Sequence, residues 1–190
     1  MLNEKLILAS QSPRRAEILT SVGWPFEAIA ANIDETRLPS EDALSYVTRL
    51  AQTKAETVAK QILAGSLVLG ADTVVVIDKE ILGQPRDDDD ARRMLSLLSG
   101  KWHQVITGVA LLRRADVLQT SVGQQTTRVR FADLSREQID WYVSTGEPKG
   151  KAGAYAIQGR GALLIEEIQG DYFNVVGLPI RLVYELLDKE

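Results

Sequence analysis

The chain has 190 residues, 45% hydrophobic and 25% charged, an ordinary globular composition with enough apolar material for a sizeable core. With 22 Lys and Arg against 26 Asp and Glu, its net charge of −4 argues against binding along a nucleic-acid backbone, yet it permits a small anion where basic residues gather locally. The chain contains no cysteine, which excludes disulfides, thiol nucleophiles and Cys-ligated zinc and suits a reducing cytoplasm.

The apolar run after Lys5 is too short for the core of a secretory leader, and no stretch approaches membrane-spanning length, so no membrane partner is expected. One domain over residues 1–190 is the simplest plan, since no repeat, low-complexity tract or linker interrupts the chain.

Leu6-Ile7-Leu8-Ala9 predicts a buried strand, followed by Ser10-Gln11-Ser12-Pro13-Arg14-Arg15. Ser12 is a favoured N-cap, and Pro13 suits the first helical position, where its missing N–H would have been unpaired anyway. A helix N-terminus offers free N–H groups and partial positive charge. With Ser10, Ser12, Arg14 and Arg15 gathered there, the junction suits an anion with several oxygens, such as a phosphate chain. The plain alternative is a strand–loop–helix junction with solvated arginines.

The first helix is predicted over 13–22, with Ile18, Leu19 and Val22 on one face and Gly23 ending it. A second strand is read over 26–31. Asn32-Ile33-Asp34-Glu35-Thr36 reads as a polar turn on its own residues. A long helix is expected to open near Ser40 with Glu41 and Asp42 in its first turn. Leu44, Val47, Ala51, Ala55, Val58 and Ile62 recur at helical spacing. Lys54 lies along the edge of that stripe, where it either snorkels or points its ammonium into a cleft.

The run Leu67 to Ile77 predicts a buried strand interrupted by Gly70-Ala71-Asp72-Thr73. A carboxylate inside such a run needs a partner, because burying a lone charge is costly. Asp72 is then either hydrogen-bonded at a bulge or held on a rigid element as a general base or metal ligand, the reading favoured here. Gly70 marks a bulge or a close backbone approach. Asp78-Lys79 turns the chain into Glu80-Ile81-Leu82, and a helix capped by Asp87 and closed by Gly100 follows. The run Asp87 to Asp90 reads as dipole complement and not as a metal site.

Two strands are expected over 102–112 and 117–131, joined around Ala115-Asp116. His103 has no second histidine to share a ligand set. Ser135-x-x-Gln138 is a capping box with Leu134 and Ile139 as its hydrophobic staple, and that helix should end before Gly146. The stretch 149–159 reads as a shaped loop in which Gln158 can both donate and accept hydrogen bonds. A strand near 163–168 and a last helix starting at Pro179 close the chain.

Taken together, LILASQSPRR, Ile33-Asp34-Glu35-Thr36, GADTVVV at 70–76, the AGAYAIQG loop and the YFNVVGLP ending resemble the Maf family nearly end to end. The resemblance implies nucleoside triphosphate pyrophosphatases that need a divalent cation, Mg²⁺ or Mn²⁺, and that release pyrophosphate to leave a monophosphate. It implies an α/β fold of the inosine triphosphatase type, with a long twisted mixed sheet flanked by helices and a cleft between two lobes. It also implies homodimers and an association with arrest of cell division.

Carried over by motif, the family's proton acceptor falls on Asp72, and positions tied to substrate choice fall on Arg14, Thr73 and Gln158. Ser10, Arg15, Glu35 and Lys54 are further expected substrate-binding positions, with Glu35 and Asp72 as candidate metal ligands. The loop at 152–159 resembles the branch acting on dTTP and UTP. A 7-methyl-GTP or modified-nucleotide pyrophosphatase and a nucleotide-sensing division regulator are the alternatives. The chain departs from the family's common Gly-Lys-Pro at Gly83-Gln84-Pro85, which keeps a hydrogen-bond donor but removes a charge.

Overall fold

Continuous apolar runs, as opposed to strict alternation, mark strands buried on both faces. Ser66–Ile77 is the clearest case, with ten of its twelve residues buried. In the computed structural model, which describes residues 4–62, 65–114 and 118–188, this strand belongs to a seven-stranded mixed sheet flanked by helices. The strands are β1 (Lys5–Leu8), β2 (Phe26–Ala28), β3 (Ser66–Ile77), β4 (Glu80–Leu82), β5 (Trp102–Arg114), β6 (Leu118–Phe131) and β7 (Ile165–Gln169). Their order is β2-β1-β3-β5-β6-β7, with β4 paired to β3. β1 runs parallel to β2 and β3, while β4 pairs with β3 and β7 with β6 antiparallel. The expected join at Ala115-Asp116 and the first residue of the expected strand at Val117 lie outside the described residues.

The chain divides into two compact units. The first comprises Met1–Asp72, Thr107–Gln125 and Gly177–Glu190. It holds the helices α1 (Pro13–Ser21), α2 (Ala43–Ala59) and, near the end of the chain, α6 (Ile180–Asp188). Its core joins Ile7 and Val68 of the sheet to Ala51, Ala55 and Val58 of α2 and to Ala110 and Leu112 of β5. The second unit comprises Thr73–Ile106 and Thr126–Val176. There α3 (Asp88–Leu98) and α4 (Arg136–Ser144) pack Leu95, Leu98, Ile139 and Tyr142 against Val75, Val105, Val129 and Phe131. A short helix, α5 (Tyr172–Val176), ends this unit.

Several local expectations hold. Pro13 is the first residue of α1, Asp87 caps α3 through the Asp90 N–H, and both halves of the Ser135/Gln138 capping box form. The acidic run at α3 is structural, and Asp90 additionally takes hydrogen bonds from Arg86 and Arg93.

Others are corrected. Ser12 stands at the N-cap of α1 as expected, but its side chain makes no cap hydrogen bond; its own N–H instead donates to Ser10 Oγ at 3.1 Å. α1 stops at Ser21 because Gly23, at φ +69°, reverses the chain, leaving Val22 at the C-cap and 40% exposed instead of on the buried face. β2 is only three residues long: Ile29 makes a last link to Leu8, and the chain then leaves the sheet.

α2 does not open at Ser40, whose φ of +61° belongs to a turn. Asp42 is the N-cap, accepting from the Ser45 N–H at 2.7 Å, and Leu44 lies exposed outside the buried stripe. Leu163 sits in a 3-10 turn and is 73% exposed, so β7 begins only at Ile165. α5 went unread because it is a single short turn, started by Asp171 accepting the Phe173 N–H. Among the described residues, no helix is long and apolar enough to cross a membrane.

Candidate active site

The junction from β1 to α1 folds as its sequence dictates, with Pro13 fixing the helix start. Arg15 is drawn inward on the first turn and is only 9% exposed. Its guanidinium donates to the Gly177 carbonyl at 2.8 Å and to Ser10 Oγ at 3.3 Å. Burial lowers its pKa, with Arg14 nearby acting in the same direction, while Asp72 and Glu35 oppose the shift. The guanidinium remains charged, because its ordinary value is far above neutrality. Arg14 is half-buried at the same helix start.

α2 supplies the next group. Tyr46, Leu50 and Lys54 recur at a spacing of four and therefore share one face. Lys54 is buried, and its Nζ donates to Asp72 Oδ1 at 2.6 Å while pairing with Glu35 Oε1 at 2.7 Å. It does not snorkel to solvent. Two turns earlier, the Tyr46 hydroxyl donates to the Glu35 carbonyl at 2.7 Å, and Arg49 donates to the Thr36 carbonyl at 3.1 Å. Asp34 accepts the Thr36 N–H within the same loop. Two atoms of Glu35, one backbone and one side chain, are thus held by one helix face.

The loop is exposed, as its polar residues predict, but those residues carry no signal for Tyr46 and Arg49, which anchor it to α2. The spacing of Tyr46 from Lys54 was the available signal. The Tyr46 hydroxyl titrates higher than usual, from burial first and then from the negative charge of Asp72 and Glu35.

Asp72 lies in an unbroken strand: the interruption expected at residues 70–73 is absent. Gly70 serves the second of its two expected purposes, close approach, since a Cβ there would stand 2.1 Å from the Ala51 carbonyl oxygen of α2. The helix backbone lies directly on the strand, which brings Lys54 within reach of Asp72. Burial pushes the Asp72 carboxyl above its ordinary value, although Lys54 and Arg15 pull the other way.

Lys54 is therefore in direct contact with both Asp72 and Glu35, the Arg15 charge acts on Asp72, and Ser10 joins through Arg15. Thr73, the next residue on β3, and Gln158, on an exposed turn, belong to the second unit.

Two carboxylates converging on one ammonium form a donor set that a divalent cation could also use. No group of three or more His, Cys, Asp or Glu suited to a metal occurs among the described residues. A cation here would complete its shell with phosphate oxygens and water, the habit of Mg²⁺ at nucleotide sites. The residues fit such an ion on those terms. Chemically, the arrangement joins a carboxylate able to accept a proton, a cationic cradle and a helix N-terminus, parts suited to hydrolysing a phosphoanhydride.

A family model described as Maf-like protein matches residues 5–190. A Symbiobacterium thermophilum protein named dTTP/UTP pyrophosphatase is 53% identical over 184 residues, covering 97% of this chain and 93% of that one. A protein of the same name from Anaeromyxobacter dehalogenans (strain 2CP-1) is 50% identical, covering 96% and 92%. Among solved structures, the Staphylococcus aureus Ham1 protein aligns with a TM-score of 0.55 at 14% identity, over 98% of this chain and 99% of that one. That likeness is one of fold alone. With a family match spanning residues 5–190 and relatives half identical along nearly their whole length, this chain belongs to the Maf-like protein family.

Proposed function

We propose that this protein hydrolyses dTTP and UTP to the monophosphate and pyrophosphate. The buried contact of Asp72 with Lys54, beside Glu35 and Arg15, is the observation that carries this reading. The two relatives named dTTP/UTP pyrophosphatase supply the substrate.

Lys54, Arg14, Arg15 and the N–H groups opening α1 hold the triphosphate, their charge matching its oxygens. Asp72 orients a water against the α-phosphorus and takes its proton as the new P–O bond forms. The bond from the α-phosphorus to the bridging oxygen breaks, and the electron pair leaves with pyrophosphate. Glu35 and Asp72 would hold Mg²⁺ or Mn²⁺ together with phosphate oxygens. Such an ion supplies charge neutralisation on the phosphate chain when bound.

Base choice rests with Gln158, with Thr73 and Arg14 as further selecting positions. The Gln158 carbonyl accepts the N3–H of uracil or thymine while its amide donates to a ring carbonyl. Cytosine presents the opposite pattern at N3 and its exocyclic group. A homodimer in the cytoplasm completes the proposal, supported by the family resemblance and by the cysteine-free composition.

The test is pyrophosphate release from dTTP, UTP, CTP, 7-methyl-GTP and ITP, each with and without Mg²⁺. Product from dTTP and UTP, reduced about 100- to 10,000-fold by Asp72→Asn, is the expected pattern for loss of a general base. No product from any nucleotide would overturn the reading.

A further inference from the structure

In the second unit, the turn carrying Gln158 is gripped from both sides by side chains that take no part in the reaction proposed above. Tyr142, fully buried on α4, donates its hydroxyl to Glu147 Oε1 at 2.9 Å and accepts the Ala156 N–H at 3.2 Å. Glu147, in the turn after α4, accepts the Gly161 N–H on Oε1 at 2.9 Å and the Arg160 N–H on Oε2 at 3.0 Å. Gln158 stands midway, two residues after Ala156 and two before Arg160. The Gly159 N–H closes the turn onto the Ala156 carbonyl. On the approach to the turn, the Tyr155 hydroxyl meets His103 Nε2 at 2.8 Å, and its ring packs edge-on against Phe131.

The fit leaves no slack. A Cβ at Gly159 would stand 2.5 Å from Glu147 Oε2, and one at Gly161 would stand 2.5 Å from the Ala156 carbonyl oxygen and 2.8 Å from Tyr142 Oη. The two glycines let backbone and clamp touch. Burial tends to raise the Glu147 carboxyl, but hydrogen bonds from Gly161, Arg160 and Tyr142 hold it below the usual range. An ionised acceptor bound by three donors makes the strong kind of hydrogen bond.

We propose that Glu147, acting through Tyr142 and the N–H groups of Arg160 and Gly161, is the positioning residue that presents Gln158 to the base of a pyrimidine nucleotide. This rests on the reading of Gln158 as the base-selecting side chain. A turn ordered before the substrate arrives spares binding the cost of ordering it, so the clamp acts on nucleotide affinity and base discrimination more than on turnover.

The experiment uses the full chain with Glu147→Gln, Tyr142→Phe, Gln158→Ala and the double variant Glu147→Gln/Gln158→Ala. Glutamine at 147 keeps the size but turns an amide toward one of the N–H donors. Two readouts are taken: amide hydrogen exchange over 156–161, and kcat and KM for dTTP, UTP and CTP. Expected for Glu147→Gln are faster exchange over 156–161, a KM for dTTP and UTP raised about three- to tenfold, and a reduced preference over CTP. In the double variant, preference should fall no further than in Gln158→Ala alone, the mark of two residues acting as one unit.

Tyr142→Phe keeps the buried ring and is read in the same way, which covers the case of Glu147→Gln melting below the assay temperature. Unchanged exchange in a folded variant overturns the clamp. Faster exchange with unchanged KM and preference overturns its positioning role. If Gln158→Ala alone leaves the preference intact, the base reading itself has failed and the proposal falls with it. If only Gln158→Ala alters preference, the clamp alone has failed.

Discussion

At Asp72, the base of the proposed reaction, the demands of folding and of chemistry conflict. Most of its neighbours on β3 are buried, and it is itself only 8% exposed. Burial raises its pKa despite Lys54 and Arg15. A carboxyl that holds its proton more tightly folded than unfolded adds stability at low pH and loses it as pH rises through the folded value. At neutral pH the ionised group therefore weighs against the fold. Asp72→Asn keeps the shape and leaves Lys54 paired with Glu35. It should melt at a higher temperature than the parent at neutral pH while losing activity as described above. Thermal melts and pyrophosphate assays on one preparation check both halves, and a lower melting temperature would contradict the linkage. The same upward shift should place the acid limb of kcat/KM above the ordinary Asp range of about 4, because the proposed base must be ionised to act. Asp72 was legible because one charge in a greasy strand requires a partner. Glu35 was legible only through the family resemblance, since its anchors, Tyr46 and Lys54, lie far along the chain and reach it through folding.

The element that turns these residues into a site is α2, and its seat depends on two glycines. A Cβ at Gly70 would stand 2.1 Å from the Ala51 carbonyl oxygen, and one at Gly108 would stand 2.5 Å from that of Val47. Both obstacles are helix backbone, which cannot rotate aside. Gly70→Ala must lift α2 from β3 and carry Lys54 away from Asp72. Overpacking of this kind costs about 1–3 kcal/mol. A misplacement near 1 Å at a reacting group costs about 100-fold in rate. Urea unfolding and turnover of Gly70→Ala should show both losses, and a parental profile would contradict this account of the seat. Period and caps made α2, α3 and α4 readable. The start of α2 was misplaced because Ser40 looks like a cap but adopts a left-handed turn, and the capping work passes to Asp42. Five residues of α5 carry too little periodicity to stand out from a loop.

At the scale of the whole molecule, the sequence shows no linker, and three of the four boundaries between the units fall inside strands. β3, β5 and β6 each run through both, and a strand that changes unit midway leaves no mark in composition. Stability against pH is the property in which both units report together. His103, the one histidine in the chain, is 2% exposed in the second unit, and burial pushes its pKa down to about 4. Its stabilising effect is complete above the unfolded value of about 6.5. It is lost as pH falls from there toward 4, because the unfolded chain takes up the proton first. The expected loss between about pH 7 and about pH 5 is about 2 kcal/mol, from a shift worth 1.36 kcal/mol per unit. Below that window the carboxyls of Asp34, Asp42, Glu137 and Glu147, and that of Glu41 at about 2, all sit lower than usual. Their stabilisation is present above their unfolded values and disappears as pH falls further. Asp72 works in the opposite direction, so a single profile mixes the signs. The difference between the parent and His103→Gln removes that ambiguity, because Asp72 and the other carboxyls cancel. Urea unfolding of both proteins at the two pH values should show the parent losing about 2 kcal/mol more than the variant. Equal losses would mean that His103 carries its proton in the fold, with Tyr155 then accepting from a charged ring.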